Sequence, residues 1–360
     1  MPSGSMDHVD EMMRQAVTDG IFPGGVLLSS KKGHIHFQEA YGAASTVTGE
    51  PVTLDTVFDL ASLTKPLATT PAVMHLVQEG RLGPHYTIGH LLPELKTSDK
   101  AAIQIEHLLR HTSGLPGYRP YFESIRDLPE PERKQRLWDL LAIETLESEI
   151  GAETRYSDPG FLLLQQVVER ISGSRLDRLV KESIFKPIKI AGLFFSNEKR
   201  KSSGVQFAAT EDCPWRRRIL QGEVHDDNAW VIGGVAGHAG LFGDIANVHC
   251  LLDEVLRSWH DNSRHFLLSP KLVQRFLSKE STDGRAMGFD VPAREGLSCG
   301  HYFSPRTVGH LGFTGTSFWM DIEKEIIVIL LTNRIHPTRE NQRIRDFRPL
   351  IHDAIMEAML

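Results

Sequence analysis

Ser62-Leu63-Thr64-Lys65 places a hydroxyl and an amine three residues apart, a spacing that one helical turn brings to a single face. A serine at a helix start meets unpaired N–H groups and the positive end of the helix dipole, and both favour developing negative charge. A lysine desolvated beside it can lose its proton near neutral pH and activate the hydroxyl for attack on a carbonyl. The pattern recurs at Ser29, Ser183 and Ser196, each with a lysine three residues on, so spacing alone selects none of the four. Context separates them. Ser29 falls at a hairpin turn, Ser183 ends a helical pattern at Pro187, and Ser196 precedes the charged run Glu198-Lys-Arg-Lys201. Ser62 instead opens Leu67 to Val77, apolar on nearly every side and therefore read as a buried helix, in which Pro71 predicts a kink. The same four residues also suit a capping serine beside a snorkelling lysine.

Of the six tyrosines, Tyr156 alone has an Asp or Asn two residues on, in Tyr156-Ser157-Asp158-Pro159-Gly160. A tyrosine beside a lysine can be held partly ionised and shuttle protons, and the same segment is also a good turn before a helix. The third element is Gly309-His310-Leu311-Gly312-Phe313-Thr314-Gly315-Thr316. Its glycines permit close backbone approach, so the segment can present N–H groups to an oxyanion while His310 supplies a donor; the alternative is an edge-strand bulge with a surface histidine.

These segments need a scaffold. Gly25–Ser30 and His34–Ala40 flank Lys31-Lys32-Gly33 as a hairpin, and Thr316–Ile322 with Ile326–Thr332 form a second around Glu323-Lys324-Glu325. Helical patterns run from Ile103 to Arg110, Glu132 to Leu146, Phe161 to Ile171 and Ala246 to Trp259, with a helical tail from about Thr338 to Leu360. Strands at both ends with helices between predict an α+β fold: one antiparallel sheet assembled from the termini and a mostly helical lobe. We expect one domain over residues 1–360, its sheet lobe from about 1–60 with 230–360 and its helical lobe from 61–229.

The 360 residues, 41% hydrophobic and 24% charged, suffice for a large core. Forty basic against forty-six acidic side chains leave a net charge of −6, which argues against a nucleic-acid partner. The five arginines from Arg334 to Arg348 are interleaved with acids and read as a solvated face. Three cysteines without a short spacing give neither a disulfide framework nor a cysteine zinc site. The acidic start (Asp7, Asp10, Glu11) lacks the apolar stretch of a secretory leader, and no run reaches the roughly 18 apolar residues of a membrane span. The expected location is cytoplasmic, or periplasmic or secreted if a leader has been removed. A metal reading of His225, Asp226, Asp227 and His238 fits no recognised ligand spacing. His107 and His111 read as satisfied structural groups.

Serine-lysine, tyrosine and glycine strand, in that order, are much less probable together than singly. With Phe58-Asp-Leu-Ala-Ser-Leu-Thr-Lys65, Tyr156-Ser-Asp158 and His310-Leu-Gly312, the sequence resembles the serine β-lactamase and penicillin-binding-protein superfamily. The similarity is to its class C-like branch, with the family VIII esterases and D-amino-acid peptidases, and spans about residues 10 to 335. Ile105–Pro116 and Gly234–Phe242 look like further hallmarks of that family.

The resemblance implies the β-lactamase/transpeptidase-like fold, Ser62 as acylated nucleophile, Lys65 as its proton partner and Tyr156 as base for the deacylating water. It also implies an oxyanion hole from the Ser62 and Phe313 N–H groups, Gly312 beside it, and a loop at Glu223–Trp230 from which His225, Asp226 and Asn228 reach substrate. No metal or organic cofactor is implied. Asp158 replaces an asparagine and His310 a lysine, which leaves the cleft less positive than a β-lactamase needs to hold a carboxylate. The expected activity is therefore hydrolysis of carboxylic esters or small amides through an acyl-enzyme. The alternatives are a D-amino-acid peptidase, DD-carboxypeptidase or weak β-lactamase and, from another class, a non-catalytic scaffold or binding protein that retains the fold.

Overall fold

The computed structural model describes residues 5–195, 204–265, 267–279, 284–292 and 298–360. Five strands, β1 (Gly24–Lys31), β2 (His34–Gly42), β3 (Val308–Leu311), β4 (Ser317–Asp321) and β5 (Ile326–Thr332), form an antiparallel sheet in the order β2-β1-β5-β4-β3. The two expected hairpins thus lie side by side, joined by β1 on β5 with Gly25 opposite Thr332 and Lys31 opposite Ile326. Because the strand period is two, β5 splits its side chains between two cores. Ile326, Val328 and Leu330 face the helices Met6–Thr18 and Ile344–Met359, whereas Ile327, Ile329 and Leu331 face the main core. Burial on both faces explains why this strand is continuously apolar.

The main core continues from the sheet into the segment between the hairpins. Its central helix, Asp158–Ser172, is started by Ser157, whose hydroxyl accepts the Gly160 N–H at 3.1 Å, and ended by the left-handed Gly173. Two small sheets accompany the helices: Phe58–Asp59 and Phe194–Phe195 pair with Leu241–Gly243, and Ala209–Cys213 pairs with Arg218–Gln221.

Several boundaries differ from expectation. The last helix begins at Ile344 rather than near Thr338, because the Arg334 guanidinium takes the carbonyls of Arg339 and Asn341 and holds the chain off helical geometry. Ile103–Arg110 shortens to Ile105–Arg110, since Gln104 bridges back to Thr87. Pro71 does not bend a helix midway. A π-helical turn, Lys65–Thr69, precedes the α-helix Thr70–Gln78, so Pro71 sits in a first turn where no N–H is needed. Ser29 is not at a turn but buried inside β1, opposite Val328. Among the described residues no helix is long and apolar enough to cross a membrane.

Candidate active site

Ser62 follows the strand Phe58–Asp59 within a tight 3-10 turn, Ala61–Leu63. Ala61 has φ of 47°, a left-handed conformation costly for a residue with a Cβ. Its N–H is taken by the Asp59 carboxylate at 2.9 Å, while the other carboxylate oxygen accepts the His225 N–H at 2.7 Å. From Thr56 to Met74, Ser62 alone is not buried. That separates it from the other serines of this spacing: Ser29 is buried, Ser183 lies in a second π-helical turn whose Lys186 pairs with Glu182, and Ser196 lies outside the described residues.

The fully buried Lys65 ammonium reaches Ser62 Oγ at 3.1 Å, Asp158 Oδ1 at 2.8 Å and the His238 carbonyl at 3.2 Å, and stands 4.6 Å from the Tyr156 ring centroid. The Tyr156 phenol interacts electrostatically with both Lys65 and Ser62. Serine, lysine, tyrosine and Asp158 are therefore one cluster. Its protonation differs from the expectation of a deprotonated lysine. Burial alone pushes the Lys65 ammonium down, but the Asp158 carboxylate and the Tyr156 oxygen outweigh it and hold the pKa above that of an ordinary lysine. Burial also raises the Tyr156 phenol, with Asp158 adding to the rise and Lys65 opposing it. The resting pair is a lysine cation beside a neutral phenol.

His310, on the edge strand β3, is buried rather than a surface group. Burial, with Lys65 and Arg285 nearby, holds its pKa well below the usual imidazole value, so the ring is neutral at pH 7. Its Nδ1–H donates to the Leu311 carbonyl at 2.9 Å, and Nε2 has no partner among the described residues. Position 310 therefore offers an acceptor instead of the expected donor. The glycines around it admit neighbours within the protein: a Cβ on Gly312 meets Thr316 Oγ1 at 2.0 Å and the Leu60 carbonyl at 2.8 Å. Thr314 and Thr316 donate to the carbonyls of Asp59 and Leu60, fastening this turn to the one that carries Ser62. The N–H groups of Ser62 and Phe313 donate to no carbonyl among the described residues.

A cavity of about 920 Å³ opens over the cluster, lined by Ser62, Tyr156, His310, Leu311, Gly312 and Phe313 and reaching Asp290 and Arg348. Sequence reasoning finds too little positive charge here. Position 310 is uncharged, but Arg285 lies 6.0 Å from the Tyr156 ring, paired with Asp290, and Arg334 stacks 4.8 Å over Phe313. These arginines carry no motif; only folding brings them to the cleft.

The Glu223–Trp230 loop is more structural than expected. Asn228 spends its amide on the backbone, accepting the Phe122 N–H and donating to the Arg119 carbonyl. His225 is buried, faces Glu211 at 3.2 Å and stacks on Phe313 at 5.5 Å. Asp226 binds His238 Nε2 at 2.9 Å, and through the His238 carbonyl this pair braces Lys65. His111 accepts the Ser157 N–H at Nδ1 and packs against Tyr156, and His107 accepts the Gln104 N–H. No group of three or more His, Cys, Asp or Glu side chains suited to a metal occurs among the described residues.

Asp59 is the positioning residue that the motif pattern does not reveal. Buried, and in no ion pair among the described residues, it uses both oxygens to join the Ser62 turn to the His225 loop, which stacks on Phe313. In Asp59→Asn one acceptor becomes an NH₂ facing an N–H donor. Steady-state kinetics on a p-nitrophenyl ester should show kcat lowered about tenfold or more, with KM changed far less, as for a disturbed oxyanion site. A rise confined to KM would show that Asp59 does not position this wall.

With the geometry in view, the chain can be set beside known proteins. Residues 9–352 match the profile of the family described as Beta-lactamase. The chain belongs to the β-lactamase family. It is a serine hydrolase by that membership and the relatives that share it. A protein of Escherichia coli (strain K12), provisionally named D-alanyl-D-alanine carboxypeptidase, is 30% identical over 94% of this chain and 84% of its own. Among solved structures, EstCE1, a hydrolase with promiscuous acyltransferase activity, superposes with a TM-score of 0.74 at 22% identity, covering 96% of this chain and 98% of that one. The octameric penicillin-binding protein homologue of Pyrococcus abyssi gives 0.74 at 18% identity, over 96% of this chain and 77% of its own. At such identities these two structures establish the β-lactamase/transpeptidase fold expected of the sequence.

Proposed function

We propose that this β-lactamase family member hydrolyses carboxylic esters or small amides through an acyl-enzyme on Ser62. The observation that carries the reading is the Ser62–Lys65–Tyr156 cluster beneath an open cavity, with Lys65 Nζ 3.1 Å from Ser62 Oγ. Once the Lys65–Tyr156 pair has lost one proton, it takes the Ser62 hydroxyl proton as Oγ bonds to the carbonyl carbon. The oxyanion faces the N–H groups of Ser62 and Phe313. The pair then returns the proton to the departing oxygen or nitrogen as its bond to carbon breaks. A water, deprotonated by the same pair, displaces Ser62 and releases the acid. This route uses no metal or organic cofactor.

Intact-mass analysis after treatment with a fluorophosphonate should show one adduct, on the peptide carrying Ser62 and absent from Ser62→Ala. An adduct on Ser29, Ser183 or Ser196 would overturn the assignment, and no adduct at all would favour a non-catalytic binding protein. A second reading, a D-alanyl carboxypeptidase, is favoured by Arg285 beside Tyr156, a cation near the cluster where position 310 has none, and by the name of the Escherichia coli relative. Comparing p-nitrophenyl butyrate, nitrocefin and D-alanyl-D-alanine peptides separates the readings.

A further inference from the structure

The Lys65 ammonium carries three protons and has three acceptors, Ser62 Oγ, Asp158 Oδ1 and the His238 carbonyl. In a tetrahedral group, fixing two of these bonds fixes the direction of the third. The aim of Lys65 at Ser62 therefore depends on where the His238 carbonyl is held. That carbonyl belongs to residues 233–240, which form neither helix nor strand. Their position is set by side chains from other elements, of which Asp226 on the His238 ring is one.

A second is Gln165, buried on the helix Asp158–Ser172 two turns after Asp158 and so on the same face. Its carboxamide accepts the Gly237 N–H at 3.0 Å and donates to the Val235 carbonyl at 3.1 Å, as a neighbouring strand would, and also donates to Glu169 at 3.1 Å. An apolar residue at 165 would fill the core but leave both backbone groups without these partners. The loop lies directly on this helix, because a Cβ on Gly237 would strike the Phe161 carbonyl. From the other side Thr69, at the end of the π-helical turn that begins with Lys65, donates to the Gly237 carbonyl at 2.6 Å. The peptide before His238 is thus clasped by the two elements that carry the lysine and its counter-ion.

We propose that Gln165 is a positioning residue of this hydrolase: by clasping residues 235 and 237 it places the His238 carbonyl, and through it the direction in which Lys65 meets Ser62. The proposal rests on the serine hydrolase reading for its effect on turnover, but not for its effect on Lys65. A hydrogen bond to a cation favours the cation, so a displaced His238 carbonyl both misaligns Lys65 and loosens its hold on the proton. The charged or titratable groups around Lys65 are Asp158 and Tyr156, with His111 and His310 beyond them, both held neutral by burial. Glu169, beside Gln165, is paired with Lys134.

Gln165→Leu removes one clasp and Thr69→Val the other. With a neutral p-nitrophenyl ester, kcat should fall about tenfold in the first and about threefold in the second, with KM changed far less. In both, the rising alkaline limb of kcat/KM should move to lower pH by about half a pH unit. Ile351→Val, in the separate core beneath the C-terminal helix, should lower the melting temperature and leave both kcat and the limb in place. Should Gln165→Leu fail to fold, Thr69→Val carries the test. NMR of protein labelled with 13C at lysine Cε, the Lys65 signal assigned by its loss in Lys65→Ala, reads the same downward shift without turnover. An unmoved Lys65 signal and pH limb in the folded variants, or a change confined to KM, overturns the positioning role. A shifted Lys65 signal in a protein that hydrolyses no ester overturns the hydrolase reading and leaves the clasp standing.

Discussion

Lys65→Ala and Tyr156→Phe each lower the turnover of an ester substrate by about a hundredfold or more, the scale of general acid–base catalysis. The reason is geometric. Lys65 Nζ lies 3.1 Å from Ser62 Oγ and the Tyr156 phenol interacts with both, so the serine proton passes to a pair that shares its protons. Neither member serves alone: without Lys65 the buried phenol loses the cation that opposes its rise, and without the phenol the lysine remains a cation held by Asp158. The double variant should therefore lose little more than either single one, since residues acting as a unit are not additive. Single-turnover and steady-state assays, with circular dichroism as a check on folding, measure this. Fully multiplicative losses would show two independently acting groups.

The residues proposed to carry the relay stand out in the sequence because each lies in a short segment with its own local geometry. Ser62 and Lys65 share a helical turn, and Tyr156 stands before a capped helix. The same holds for the sheet, whose hairpins are contiguous in the chain and whose pairing of β1 with β5 follows from two apolar strands needing cover. What was not legible depends on contacts between distant segments. Asp59 looks like an ordinary polar residue until the fold brings the His225 N–H to it. Arg285 comes to the Tyr156 ring, and Arg348 to the cavity, from segments without a motif. The protonation of Lys65 is hidden for the same reason: its desolvation follows from the apolar segment, but the 2.8 Å contact with Asp158, 93 residues away, decides the balance. The motif pattern makes Asp158 a substrate contact, whereas in the fold it pairs with the Lys65 amine.

That contact makes Asp158→Asn the variant whose pH profile is most informative. Serine activation requires the Lys65–Tyr156 pair to give up one proton, and Asp158 opposes the loss from either member. Its negative charge stabilises the lysine cation and repels a tyrosinate, so both pKa values lie above their ordinary positions. With both raised, the pair is fully protonated at neutral pH, and kcat/KM of the unaltered protein should climb as pH rises into the alkaline range. Removing the charge lowers both values, so the rising limb moves to lower pH. At pH 6 to 7 the variant should gain about tenfold relative to its own alkaline plateau, the effect of one neighbouring charge on a buried group. The neutral amide keeps the size of the carboxylate and can still accept from Lys65, which separates the electrostatic effect from a packing defect. His310 cannot supply the same limb, because its pKa is already well below the imidazole range and it stays neutral throughout. The measurement is kcat/KM for a neutral p-nitrophenyl ester from pH 5.5 to 9.5 in both proteins, on a substrate with no titrating group of its own. A limb that stays in place, or moves to higher pH, would mean that the proton leaves some group other than the Lys65–Tyr156 pair.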